Sequence, residues 1–286
     1  MESSHTYPKI ELILNGTNLT IKDLVDVSRH LQVSIKLDEA AKANMQKSRS
    51  WVEQVQKTGT PVVYGVNTGF GSQAIVSINK QKLRELQRNL IMSHSAGTGH
   101  PLPIEVVRAA MLLRANTLAR GYSGIRVEVV ETLLKMLEKG VTPWIPEQGS
   151  LGASGDLAPL SHLALVLSDG NENDHDEHSG QAYVYNHDNQ NWELTTGKEA
   201  MERAEIPRVV LEAKEGLALN NGTQISTALL ALSYYDATQL VKLADIAMAM
   251  SLEALEGISS AFRPELHGLR PHPGQMESAN NIRRLT

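Results

Sequence analysis

The dodecapeptide Gly149-Ser150-Leu151-Gly152-Ala153-Ser154-Gly155-Asp156-Leu157-Ala158-Pro159-Leu160 constrains this chain more than any other segment. At its centre, Ala153-Ser154-Gly155 can cyclise into an electrophile that none of the twenty side chains supplies. If the Gly155 amide nitrogen attacks the Ala153 carbonyl carbon and two waters leave, a five-membered 4-methylideneimidazol-5-one results. Ser154 contributes its exposed methylene carbon. Glycine suits the attacking position because it lacks a Cβ and tolerates the folded-back geometry of closure. A small residue at Ala153 leaves the carbonyl open. Ala-Ser-Gly alone is a common loop tripeptide. The flanking glycines, the Asp directly after and the apolar run Leu157 to Leu167 that opens a helix make the segment far more specific.

The bulk properties narrow the partners. A chain of 286 residues can bury a sizeable core as one large domain or two smaller ones. A net charge of -5 argues against nucleic acid or an anionic membrane as the main partner. The lack of cysteine excludes disulfides and thiol chemistry and suits a reducing, cytoplasmic setting. No run reaches the roughly 20 apolar residues of a membrane span, and no signal peptide is visible.

Along the chain, Ile10 to Leu14 reads as a short strand, Asn15-Gly16 as a turn, and a helix is expected from near Thr20. Further helices are expected over Asp38 to Lys57, Lys80 to Ala96, Ile104 to Ala119 and Arg126 to Lys139, and from Leu157. Residues 169 to 200 open with an acidic, turn-rich stretch whose His175 and His178 fit no zinc spacing, so a solvated loop without metal is expected. From Val209 helix dominates almost to Ala261, interrupted at Gly216 to Gly222. Its Ala-, Leu- and Met-rich part from Ile225 to Leu255 suits a bundle or a subunit interface.

Four more segments carry possible chemistry. In Tyr64-Gly-Val-Asn-Thr-Gly-Phe-Gly71 the glycines make either a tight turn around a packed Tyr64 or a loop that brings backbone to a ligand. In Asn89-Leu-Ile-Met-Ser93-His94-Ser95, His94 is either a structural helix residue or a hydrogen-bonding group for a ligand. In Leu217-Ala-Leu-Asn220-Asn221-Gly222-Thr223-Gln224, two adjacent amides precede a Gly-Thr turn. The fourth is His267-Gly-Leu-Arg270-Pro271-His272-Pro273-Gly274-Gln275.

Together with the dodecapeptide, these segments resemble the histidine and phenylalanine ammonia-lyase family, which includes tyrosine lyases and related aminomutases. The resemblance implies a mainly α fold, with long bundled helices and a small α/β N-terminal region carrying the active-site loop. It implies an active-site region over residues 1–210 and the start of a central bundle over 211–286. Tyr64 then takes the role of the base that removes the substrate β-proton, for which a phenol pKa near 10 must fall. Ala153, Ser154 and Gly155 take the role of the self-made prosthetic group, with no diffusible cofactor. Ser93 and His94 fall where the family selects the substrate side chain. Ser-His there is similar to histidine lyases and some tyrosine aminomutases, since an imidazole or phenol can hydrogen-bond histidine and a phenyl ring cannot. Asn221 matches an asparagine beside the prosthetic group and substrate. Asn220 departs from the apolar residue usual at its position and either adds a polar contact or faces outward. The Arg270 to Gln275 turn is expected to be mostly architectural.

The resemblance runs from about residue 10 to the last residue, while family subunits are nearly twice as long. Their second half supplies a Gln-Asp-x-Tyr-Ser-x-Arg segment and a later glutamate, so this chain corresponds to the N-terminal half. The implied function is non-oxidative release of ammonia from an aromatic amino acid, chiefly histidine to urocanate, in a cytoplasmic homotetramer that shares active sites between subunits. A tyrosine 2,3-aminomutase with the same electrophile, or an inactive shortened homologue, are the alternative expectations.

Overall fold

A computed structural model describes residues 9–71, 78, 82–170 and 176–286. Helix dominates, as expected. The N-terminal part runs β1 (Ile10–Leu14), α1 (Ile21–Arg29), β2 (Val33–Leu37) and α2 (Glu39–Thr58). Thr20 caps α1 through a reciprocal box with Asp23, and Asp38 accepts from the Ala40 and Ala41 amides at the start of α2. The strands β1 and β2 pair in parallel. Strand β2 has no counterpart among the elements expected from sequence.

There follow α3 (Leu83–His94), β3 (Thr98–Pro101), α4 (Ile104–Ala119), α5 (Val127–Glu138), β4 (Val141–Pro143), β5 (Pro146–Gln148) and α6 (Leu157–Leu167). The helix expected over Lys80 to Ala96 begins at Leu83, and residues 79–81 lie outside the described residues. Helices α4, α5 and α6 form the core: Met111, Leu112, Leu118, Leu133, Met136, Leu137, Leu160, Leu163 and Val166 are all solvent-inaccessible. Even the arginines of α4 are interior. The Arg108 guanidinium donates to the carbonyls of Val27, Ser28 and His30 at the end of α1 and to Leu137 O. A cation there complements the helix C-terminus, while burial pulls its pKa down to about 10.

The remaining elements are β6 (Ser168–Asp169), β7 (Gln181–Asn186), β8 (Asn191–Thr196), α7 (Gly197–Arg203), β9 (Val209–Val210), α8 (Glu215–Asn220), α9 (Gln224–Ala254), α10 (Pro264–Gly268) and α11 (Pro273–Leu285). Of the acidic stretch from Asp169 to His178, residues 171–175 lie outside the described residues, and the strands β7 and β8 follow it. Strands β7 and β8 make a hairpin that β4 extends to three antiparallel strands. The expected interruption at Gly216 to Gly222 is mostly the short helix α8.

Compactness divides the chain within α9, into residues 1–230 and 231–286. In the second unit His267 accepts from Gln275 Nε2 at Nδ1 (2.9 Å) and donates from Nε2 to Ala261 O (3.2 Å), so these motif residues brace a turn. No described helix is long and apolar enough to cross a membrane.

Helix α8 is held at its first residue by a buried ion network. Glu215, with no solvent exposure, accepts from Arg126 Nε at 2.8 Å, Arg126 Nη2 at 2.7 Å and the amides of Arg126 and Glu212. The equally buried Arg49 stands 3.6 Å away. Removing one partner of a buried pair leaves an uncompensated charge, so Glu215→Ala should lose about 3–5 kcal/mol of stability in denaturant titration. A loss under about 1 kcal/mol, the size of a surface pair, would contradict this account of α8.

Candidate active site

Three helices of the first unit turn residues toward one space. Leu90 and His94 stand one turn apart on α3, Leu157 starts α6, and Leu217, Asn220 and Asn221 stand at the end of α8. With Tyr64, Phe70, Gly71 and Ser154 they line a pocket of about 370 Å³. The structure therefore brings together Tyr64, His94, Ser154 and Asn221, four of the residues picked from sequence. Ala153, Gly155 and Ser93 are not among the residues lining it.

The loop carrying Tyr64 is rigid by its own hydrogen bonds. Asn67 accepts from Val63 N (2.7 Å) and donates to the Gly59 and Pro61 carbonyls, and Thr68 Oγ1 accepts from Gly65 N (3.1 Å). Gly65 has φ +71°, a left-handed conformation that favours glycine, and lies against Leu217 of α8. Tyr64 is 51 % exposed, edge-on to Phe70 at 6.2 Å, and its Oη accepts from Gly71 N at 3.4 Å. It is a tethered but accessible phenol and not a packed core aromatic.

The dodecapeptide loop is anchored on both sides of its tripeptide. Asp156, 1 % exposed, accepts from Ser150 Oγ (2.7 Å), Ser226 Oγ (2.8 Å) and Ser226 N (2.9 Å). The last bond satisfies an amide in the first turn of α9, where a carboxylate also suits the helix dipole. Gly155 has φ +109°, and a Cβ there would fall 2.5 Å from Gly222 O. Nothing larger than glycine fits against the Asn221-Gly222 turn. That turn is braced in its own right by Arg114, which donates to Asn221 O (2.8 Å), Gln224 Oε1 (2.9 Å) and Ala218 O. Burial lowers the Arg114 pKa to about 10, so it keeps its charge at neutral pH. These contacts fit a self-made ring: Ser154 is exposed at the pocket, and Gly155 is pressed flat on a fixed turn.

His94 has a defined tautomer. Its Nδ1 lies 2.8 Å from Leu90 O, which can only accept, so Nδ1 carries the proton and Nε2 is left as an acceptor. Ser93 Oγ donates to the same carbonyl (2.9 Å) and sits 3.0 Å from His94 Nδ1. Ser93 thus orients its neighbour. Asn220 does not face outward; it is 1 % exposed.

His162, on α6, ties that helix to the segment after α3 by accepting from Gly97 N at 3.1 Å. Burial lowers its pKa from the ordinary value near 6.5, because the charged form loses hydration. The neutral form is the one that accepts. Stability should therefore be level above about pH 6.5 and fall as pH drops toward the lowered folded value. Melting curves between about pH 8 and about pH 5 should show this decline in the wild type and less of it in His162→Gln. Identical slopes in the two would contradict the link.

Sequence reasoning overlooked Asp156 as an anchor, Arg114 as a brace and the three leucines of the pocket. Asp156 left a signal, directly after the tripeptide.

The comparisons with known proteins bear on the family and the fold. The family model for aromatic amino acid lyases matches residues 19–286. Histidine ammonia-lyase of Caldanaerobacter subterraneus subsp. tengcongensis is 48 % identical over 275 residues, which cover 96 % of this chain and 51 % of that protein. The Streptococcus sanguinis histidine ammonia-lyase is 47 % identical over 272 residues, 95 % of this chain and 50 % of the relative. The crystal structure of histidine ammonia-lyase from Trypanosoma cruzi aligns with a TM-score of 0.84 at 38 % identity, covering 96 % of this chain and 50 % of that one. A tyrosine aminomutase structure from Streptomyces globisporus aligns at 0.81 and 35 %, covering 96 % and 49 %. The chain spans about half the length of the curated relatives it matches. With the model match spanning nearly all of it, this chain belongs to the aromatic amino acid lyase family.

Proposed function

We propose that this chain provides the electrophile-bearing half of an ammonia-lyase active site that converts L-histidine to urocanate and ammonia. The observation that carries the reading is the single pocket lined by Tyr64, His94, Ser154 and Asn221, residues from four separate segments. The ring made from Ala153-Ser154-Gly155 supplies an electrophilic methylene carbon, so the reading calls for no diffusible cofactor or metal. Tyr64 removes the substrate β-proton at its accessible Oη. Asn221, whose carbonyl Arg114 fixes, turns its exposed amide toward the ring oxygen or the substrate carboxylate. His94 Nε2 accepts from the substrate side chain.

Complete sites in a homotetramer, in the cytoplasm, are part of the same reading. Exposed apolar residues along α9, among them Leu230, Leu240, Leu243 and Met250, support assembly with further protein surface.

An acceptor at His94 discriminates by what the ring can donate. An imidazole N–H satisfies it and a phenyl ring leaves it unpaired, a difference of about 1–3 kcal/mol. The kcat/KM for ammonia release should favour histidine over phenylalanine, and His94→Leu should erode that preference. A wild type that prefers phenylalanine would remove His94 from the selectivity role. A phenol O–H also suits His94, which supports a tyrosine 2,3-aminomutase as the second reading; β-tyrosine formed from tyrosine would favour it, urocanate from histidine the lyase.

A further inference from the structure

One polar group of the pocket has no part in that scheme. Asn220 lines the pocket with Leu90, Leu157 and Leu217 and is 1 % exposed. Its Nδ2 donates to Ser161 Oγ at 3.3 Å, and its Oδ1 has no hydrogen-bond partner among the described residues. Ser161 lies one turn beyond Leu157 on the same face of α6, so the amide is held where α6 and α8 meet. An amide oxygen shut from water and left unpaired destabilises the fold, whereas a leucine of similar size would not. A locally unfavourable choice of this kind marks a site with another use.

The surrounding leucines make this wall apolar, which suits the ring of an aromatic amino acid while its amine reaches the exposed Ser154. We infer that Asn220 Oδ1 is a second specificity-determining acceptor for the substrate ring, paired with His94 Nε2. The pocket then offers two acceptors to one ring. The protonated imidazolium form of histidine is the amino-acid ring that donates from two atoms, phenol donates from one, and phenyl from none. The inference rests on the lyase reading and narrows its substrate class.

The test is equilibrium binding of L-histidine and L-phenylalanine to the full chain carrying Ser154→Ala, which blocks turnover, with and without Asn220→Leu. Melting temperatures are recorded for each protein. Asn220→Leu should weaken L-histidine about tenfold, leave L-phenylalanine unchanged and not lower the melting temperature. Should Asn220→Leu melt lower, Ser161→Ala carries the test, since it frees the amide without removing it. Histidine must then weaken and phenylalanine must not. Unchanged histidine affinity overturns the inference, as does equal loss for both amino acids, which would assign Asn220 to the amine end or to the fold. If the Ser154→Ala parent binds neither amino acid, the lyase reading falls and this inference with it.

Discussion

Ser154→Ala should release no measurable ammonia from histidine, phenylalanine or tyrosine, and should lack the near-ultraviolet absorbance of a conjugated ring. In the proposed ring this side chain supplies the methylene carbon. The change removes one hydroxyl from an exposed position and should leave the fold intact. Loss of activity with an unchanged melting temperature is therefore the expected pair of results. Borohydride or cyanide should inactivate the wild type by adding to that carbon and should have no such effect on the variant. Full turnover by Ser154→Ala would mean that the electrophile lies elsewhere.

The second large effect belongs to Tyr64→Phe. The ring and its contact with Phe70 survive the change, and the only bond lost among the described residues is the weak one from Gly71 N at 3.4 Å. Turnover should nonetheless fall by about 10²-fold to 10⁴-fold with KM nearly unchanged, the pattern of a lost general base. A variant with unchanged turnover and a raised KM would assign Tyr64 to substrate binding instead.

Much of this was legible in the residues because the strongest signals are local. Thr20 and Asp38 mark helix starts by chemistry confined to one turn, and α4 runs from Ile104, directly after Pro103, to Ala119, just before Gly121, as this punctuation suggests. Strand β2 was hidden because its partner is β1, on the far side of a helix, and no local pattern records that pairing. The β7–β8 hairpin was masked by polar outward-facing residues, while Ala182 is fully buried. At the site, glycine-rich loops announced themselves, but their supports did not. Asp156 reaches Ser226, 70 positions on, and Arg114 reaches Asn221, 107 positions on, and no local pattern records such pairings. Leu90, Leu157 and Leu217 have the helical spacing of ordinary core residues. Asn220 was ambiguous because a six-residue helix gives too little periodicity to tell its inner face from its outer one.

The central claim is that Ala153-Ser154-Gly155 closes into the catalytic ring. Intact mass spectrometry of the purified protein tests it most directly, since closure expels two waters. The wild type should weigh two waters less than its sequence requires, and Ser154→Ala should weigh what its sequence requires. A wild type at its full sequence mass that still converts histidine to urocanate would contradict the account.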